Sequence, residues 1–234
     1  AESGQDIGLH MTGGLTLAGT PERWEWLQSA YRVFQSIGIE DCELVTPEEA
    51  QKRCPIMSTE GLLGGMWADR EGYLDTTGTV HAYAVAARKR GASYFEHTKV
   101  EALKQTVEGW QVITDKGTIL AEHVVNAAGS YADVVGAWTG HNVPICNMLH
   151  HYLITEPVQE LIDLKDELPV VRDPYCHSYL REETDGVLVG PYETEGAHVC
   201  WDGNAPTWDF ENELITPELD RLMPWLEKAT ERMP

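Results

Sequence analysis

Residues 123–136, "HVVNAAGSYADVVG", start apolar, turn on small side chains and continue with helical spacing. A buried strand ending in Ala127, Ala128 and Gly129 leaves bare backbone within reach of a ligand, and the N-terminus of the following helix favours an anion. The same corner serves close strand-to-helix packing equally well, and α/β folds make it routinely. The stronger dinucleotide signature, GxGxxG, occurs nowhere in the chain, and "GLLGG" at residues 61–65 lacks its spacing. Cys146, His150, Cys176 and His177 have metal-binding side chains but lack the tight CxxC or HxxxH pairs of common zinc modules. "GSYADVVG" departs from the GxSxG nucleophile elbow, so nucleophilic hydrolysis has no support there.

Several function classes are excluded by composition. With 38 acidic against 17 basic residues the formal charge is −21. That argues against a nucleic-acid backbone and against an anionic membrane surface, and reads as a solubilising acidic exterior. No apolar run reaches the roughly 18 residues of a membrane-spanning helix. The opening "AESGQDIG" has neither the basic nor the apolar region of a signal peptide. Five cysteines without close pairs point to reduced thiols in a cytosol-like compartment. Apolar residues make up 42% of the chain, enough for one large core or two smaller ones.

Local signals supply elements to position these residues. "IGLHMTGGLTLAG" reads as a strand, and Thr20 with Pro21 opens a helix whose apolar stripe is Trp24, Leu27, Tyr31 and Phe34. "TPEE" at residues 46–49 is a capping box for a short helix ending before Pro55. A strand-like "GLLGGMWAD" precedes a helix from about Thr77 to Arg90, with Val80, Tyr83, Ala84 and Ala87 on one face and Gly91 at its end. "ASYFEHTKVEAL", "GWQVIT" and "TILAEHVVNAAG" read as strands, the last two joined by a turn at Asp115, Lys116 and Gly117. "MLHHYLITE" and "PVVRD" are further strands, and "SYLREETDGVLVGPYE" is a hairpin turning at Asp185 and Gly186. A last helix runs from about Thr216, with Pro217 at its start, to Arg232. The pattern predicts an α/β (α+β) chain in which a parallel-sheet unit carries an inserted β-meander.

Taken together, "GYLDTTGTVHAYAVAARKRGASYFEHTKVEAL" and "GWQVITDKGTILAEHVVNAAGSYA" resemble the FAD-binding half of D-amino-acid-oxidase-like flavoproteins. "HHYLITE", "LPVVRD" and "SYLREETDGVLVGPYE" narrow the resemblance to the dimethylglycine and sarcosine dehydrogenase family. It runs in order along nearly the whole chain, from "GGLTLA" to "LDRLMPWLEKA". It implies part of a doubly wound FAD-binding domain at residues 69–140. Substrate-domain segments with a mainly antiparallel sheet would occupy residues 1–68 and 141–234.

By the same resemblance, Val100, Ala127, Ala128 and Gly129 line FAD, with Tyr131 where the family usually has Trp. His150 matches an active-site histidine and Tyr179 an active-site tyrosine. The implied reaction oxidises an N-methylated glycine-type amine by hydride transfer to flavin. Such a step needs a deprotonated amine, so a histidine that takes the proton and a tyrosine that orients the methyl carbon suit it. Arg181 lies two residues beyond Tyr179, hence on the same strand face, where a guanidinium can pair with the substrate carboxylate or with a neighbouring acid. His151 is expected to point away from His150, in a packing or surface role.

The spacing of the metal-type side chains supports no metal site, and the resemblance implies a small N-methylated amino acid as substrate, with oxygen or an electron-transfer flavoprotein as electron acceptor. Its location would be the cytoplasm, or the mitochondrial matrix in a eukaryote. The pyrophosphate-binding GxGxxG segment and the histidine that links FAD covalently would precede Ala1, and the last cofactor strand would follow Pro234. The chain is thus expected to be an internal piece that alone binds FAD weakly or not at all. The alternative is a non-catalytic regulatory or binding relative that keeps the fold.

Overall fold

The computed structural model describes residues 2–194, 207–210 and 213–234. The chain divides into two compact units, one of residues 1–86, 150–196 and 217–234, the other of residues 87–149 and 197–216. The partition differs from the expected segments, since residues 69–86 join the first unit and residues 141–149 the second. Backbone bonds explain the first shift: Gly13 donates to Glu71 at 2.8 Å, His10 and Tyr73 exchange bonds, and Asp75 donates to Ile7 at 2.9 Å.

In the first unit, the Thr20 hydroxyl accepts the Arg23 amide at 3.2 Å and starts α1 (Pro21–Ser36) as the sequence predicts. Leu27 is the buried residue of α1, Trp24 rests against Gly64, and Trp26 stays half exposed. The capping box of α2 (Pro47–Arg53) is complete, with Glu49 N–H donating to Thr46 Oγ1 and Thr46 N–H donating to Glu49 Oε2. Such caps contribute about 1 kcal/mol each.

Seven strands form one mixed sheet in the order β2 (Cys42–Val45), β3 (Gly64–Ala68), β1 (Gly14–Ala18), β8 (Val170–Asp173), β9 (Ser178–Glu183), β10 (Gly186–Pro191), β7 (Leu153–Ile154). Every neighbouring pair is antiparallel except β1 and β8. Strand alternation divides its residues cleanly. One row across the ladder, Leu15–Val171–Leu180–Val189–Leu153, is apolar. Its first four members are buried in a core completed by Ala50 of α2, Leu161 of α5 (Gln159–Ile162) and Ala229 of α6 (Leu219–Arg232). The adjacent row, Thr16–Arg172–Tyr179–Gly190, faces the other way and carries the polar side chains.

Three expectations for this unit change. The strand over "MLHHYLITE" shrinks to β7, because the His151 amide bonds a carboxylate instead of a ladder partner. The hairpin turns on Thr184 and Asp185, with Thr184 at φ 59°, since Gly186 already pairs with Glu183. α3 (Thr76–Lys89) turns Gly78, Ala82 and Val85 inward, while Val80 and Tyr83 are 60% and 75% exposed. Asp75 sets that rotation by accepting the amides of Thr77 and Gly78, which brings Gly78 against Asp6 and Ile7.

The second unit holds an antiparallel meander, β4 (Val100–Thr106), β5 (Gly109–Thr114) and β6 (Gly117–Ala121), with a bulge between Val100 and Ala102. Residues 92–99 and 122–128, expected to extend these strands, are irregular. For residues 122–128 no ladder partner exists among the described residues, and Val125 is 85% exposed. The chain then enters a 3₁₀ turn (Gly129–Tyr131) and α4 (Ala132–Ala137). No helix of the described residues is long and apolar enough to cross a membrane.

Candidate functional site

Within the second unit, Val100, Ala127 and Ala128 border one cavity of about 670 Å³, together with Val112, Trp138 and Trp208. The corner is held by Asn126, whose side chain accepts the Ala128 amide at 3.3 Å and donates to the Ala132 carbonyl at 2.9 Å. Sequence reasoning overlooked Asn126; its one signal is an amide that interrupts an apolar run just before small residues. Gly129 reverses the chain at φ 55°, a left-handed value that an L side chain adopts with strain. It and Tyr131 lie outside the cavity wall, yet Tyr131 contributes indirectly. Its ring stacks on Trp208 at 4.4 Å and its hydroxyl donates to the Thr207 carbonyl at 2.9 Å.

These walls are mainly apolar, with methyl-sized side chains where the backbone comes close; His97, Lys99, Asp115 and Asn126 add polar groups, and Lys99 Nζ lies 5.3 Å from the Trp208 ring centroid. They fit a planar heterocycle such as the adenine of FAD. The helix expected to favour an anion there, α4, is short, with six residues and no side-chain cap.

In the first unit, β9 presents Tyr179 and Arg181 on one face and buries Leu180 on the other. Tyr179 lies opposite both Arg172 and Gly190, with its ring across the glycine, and Tyr192 is 5.7 Å from it. The Arg181 guanidinium is already engaged. It pairs with Glu183 at 2.5 Å, donates to the Glu182 carbonyl at 2.9 Å, and sits 4.4 Å from the Tyr73 ring centroid. Tyr73 also stacks on His10 at 4.7 Å and donates its hydroxyl to Glu167, which His10 Nδ1 meets at 2.9 Å. Burial and the Glu167 carboxylate push the Tyr73 hydroxyl's ionisation upward. Arg172 pairs with Glu71 beside this cluster.

His150 is exposed, whereas its neighbour His151 keeps only 9% of its side chain exposed. One oxygen of Glu193, Oε1, accepts from the His151 amide at 2.9 Å and meets His151 Nδ1 at 2.6 Å. Glu193 Oε2 pairs with Arg221 Nη1 at 2.9 Å, and the Glu218 amide donates to His151 Nε2 at 3.0 Å. Burial raises the Glu193 carboxyl, but the His151 bonds and Arg221 outweigh it and hold the group below its ordinary value. Of the packing or surface role expected of His151, the structure shows an inward, polar one, and Glu193 and Arg221 are partners that lie far from it in sequence.

Of the weighed metal donors, Cys146 is exposed while Cys176 is fully buried, its thiol pushed up to about 12 chiefly by burial. Such a thiol resists the deprotonation that metal ligation needs. His177 lies edge-on to Trp225 at 5.2 Å. Among the described residues no three His, Cys, Asp or Glu side chains gather in a metal-binding arrangement.

Residues 1–234 match the family described as "DAO: FAD dependent oxidoreductase". The chain is 35% identical over 239 residues to dimethylglycine dehydrogenase, mitochondrial, of Homo sapiens, covering 100% of the chain and 27% of that protein. To sarcosine dehydrogenase, mitochondrial, of Homo sapiens it is 30% identical over 242 residues, covering 97% and 26%. The chain thus spans about a quarter of the length of these relatives. Among solved structures, L-proline dehydrogenase from P. horikoshii aligns with a TM-score of 0.78 at 25% identity, over 97% of this chain and 57% of that one.

Proposed function

The chain belongs to the FAD-dependent oxidoreductase (DAO) family, and from that premise we propose that it is part of a flavoenzyme oxidising an N-methylated glycine-type amine, dimethylglycine or sarcosine. The observation that carries this reading is the cavity of the second unit. Val100, Ala127 and Ala128, three of the five residues matched to the family's cofactor contacts, border a single, mainly apolar space. Bound there, FAD supplies the hydride acceptor.

The remaining work falls to this chain's side chains. His150, exposed beside a buried anchor, takes the ammonium proton onto its imidazole so that the nitrogen lone pair is free. The Tyr179 hydroxyl hydrogen-bonds the amine or the carboxylate and fixes the methyl carbon's direction. Arg181 receives the substrate carboxylate by exchanging it for Glu183, a swap between like groups on one guanidinium. The substrates named for the two dehydrogenase relatives support the amine class. An electron-transfer flavoprotein as acceptor, and a cytoplasmic or mitochondrial-matrix location, belong to the same reading.

The test is anaerobic reduction in the enzyme that carries this chain at its relatives' length. Dimethylglycine or sarcosine should bleach the oxidised flavin absorbance, and His150→Ala should slow bleaching by about a hundredfold while flavin stays bound. A flavin that neither substrate reduces overturns the substrate reading. A protein without flavin overturns the enzyme reading in favour of a non-catalytic relative.

A further inference from the structure

We propose that Glu193 is a positioning residue for His150, acting through His151; this rests on the reading of His150 as the proton acceptor. Among the described residues no strand ladder spans His150 and His151, since β7 begins only at Leu153. A single carboxylate oxygen replaces the ladder. Glu193 Oε1 accepts the His151 amide at 2.9 Å and the His151 ring at 2.6 Å, fixing the nitrogen of the peptide bond that joins the two histidines. The Glu218 amide, at the start of α6, donates to His151 Nε2 at 3.0 Å. The Glu218 bond assigns Nε2 as the accepting nitrogen and places the ring proton on Nδ1, where the 2.6 Å contact to Glu193 outweighs the longer 3.3 Å approach of Arg221 Nη2.

The carboxylate itself is held. Arg221 Nη1 sits 2.9 Å from Glu193 Oε2, with side-chain exposures of 9% for the arginine and 0% for the glutamate. A buried ion pair is costly to assemble and adds little net stability. Its value here is geometric. With His151 locked inward on both its backbone and its ring, His150 is held exposed between the Met148 bridge and the start of β7. Loosening the clamp lets the catalytic imidazole wander by a fraction of an ångström to an ångström, and displacements of that size cost large factors in rate.

The first test reads the clamp itself. Imidazole ¹⁵N NMR of the chain at neutral pH should show His151 as the Nδ1–H tautomer, and an Nε2–H tautomer overturns the proposal. The second is kinetic, in the enzyme that carries the chain. The double variant Glu193→Leu/Arg221→Leu removes the clamp without stranding a buried charge. It should lower kcat by about tenfold with KM and flavin absorbance unchanged. His151→Leu leaves the Glu193–Arg221 pair and the backbone amide bond in place and removes the ring bonds, so it should lower kcat in the same direction by a smaller factor, and it decides the matter where the double variant does not fold. His151→Asn, whose amide imitates Nδ1–H, should recover most of kcat. Unchanged kcat in the folded variants, or a loss carried by KM or by flavin content, overturns the proposal. His150→Ala separates the two readings. If it leaves turnover intact, the role of His150 falls and the proposal with it; if it abolishes turnover while the clamp variants keep theirs, the proposal alone falls.

Discussion

Gly190 lies directly opposite Tyr179 in the β9–β10 ladder, and the tyrosine ring rests across it, so a Cβ at Gly190 would fall 2.2 Å from ring carbons Cε1 and Cζ. The missing side chain thus sets where the phenol lies. Glycine inside a strand ordinarily weakens it, and covering it with a cross-strand ring recovers part of that loss. Gly190→Ala should push the ring to another rotamer, costing about 1–3 kcal/mol of stability by overpacking. In the proposed enzyme it should lower kcat by about tenfold or more while flavin remains bound. A variant with unchanged kcat would separate the ring's position from turnover.

Much of the scaffold was legible because its signals are local. Thr20–Pro21 and the Thr46/Glu49 box cap helices where the sequence places them, and alternation along "SYLREE" correctly puts Tyr179 and Arg181 on one face. What escaped depends on partners distant in sequence. The stripe of α3 was misassigned because Val80 and Tyr83 have the right spacing, whereas Asp75 and Gly78 decide which side faces inward. "HVVNAAG" reads as a buried strand from its apolarity, but a strand needs a neighbour, and none pairs with it among the described residues. Glu193 and Arg221 could not be tied to His151 by any pattern, being 42 and 70 residues away.

A second consequence concerns the end of α6. Arg232 and Asp173 are both buried and bond at 2.6 Å between Nε and Oδ2, while Arg232 Nη1 donates to the Ser58 carbonyl at 2.5 Å. One guanidinium therefore joins the last turn of α6 to β8 and to the loop after α2. Arg232→Leu leaves the Asp173 carboxylate buried without its cation, a change that costs about 3–5 kcal/mol. Denaturant titration of the chain should show that loss, and a change under about 1 kcal/mol would mean that water reaches the carboxylate.

Alkaline pH should weaken the same core. Burial pushes the thiols of Cys54 and Cys176 from an ordinary 9.0 up to about 12. The folded state therefore favours their neutral forms more than the unfolded chain does. That contribution is fully present below pH 9 and is lost as the pH rises from about 9 toward about 12. Urea midpoints should fall over this range, and the fall should be smaller in Cys54→Ala/Cys176→Ala, which separates it from general charge repulsion. Iodoacetamide at mildly alkaline pH should label exposed Cys146 well before either buried thiol. Equal labelling rates would contradict the burial.

The cavity of the second unit makes the last prediction. Ala128 lines it at an open corner, where Asn126 rather than packing holds the backbone. A leucine there would project branched carbons into the space without displacing a core. Ala128→Leu should therefore leave the thermal unfolding of the apoenzyme nearly unchanged while weakening FAD binding by about tenfold or more, since tenfold corresponds to only about 1.4 kcal/mol. Trp208→Ala approaches the same cavity from the opposite chemistry. It removes the ring on which Tyr131 stacks, a contact worth about 0.5–1.5 kcal/mol, and opens the wall instead of filling it. Both variants should lower flavin content at fixed FAD, and added FAD should restore absorbance to each. If Ala128→Leu retains flavin as tightly as the parent, the cofactor does not occupy this cavity, and the assignment of Val100, Ala127 and Ala128 fails with it.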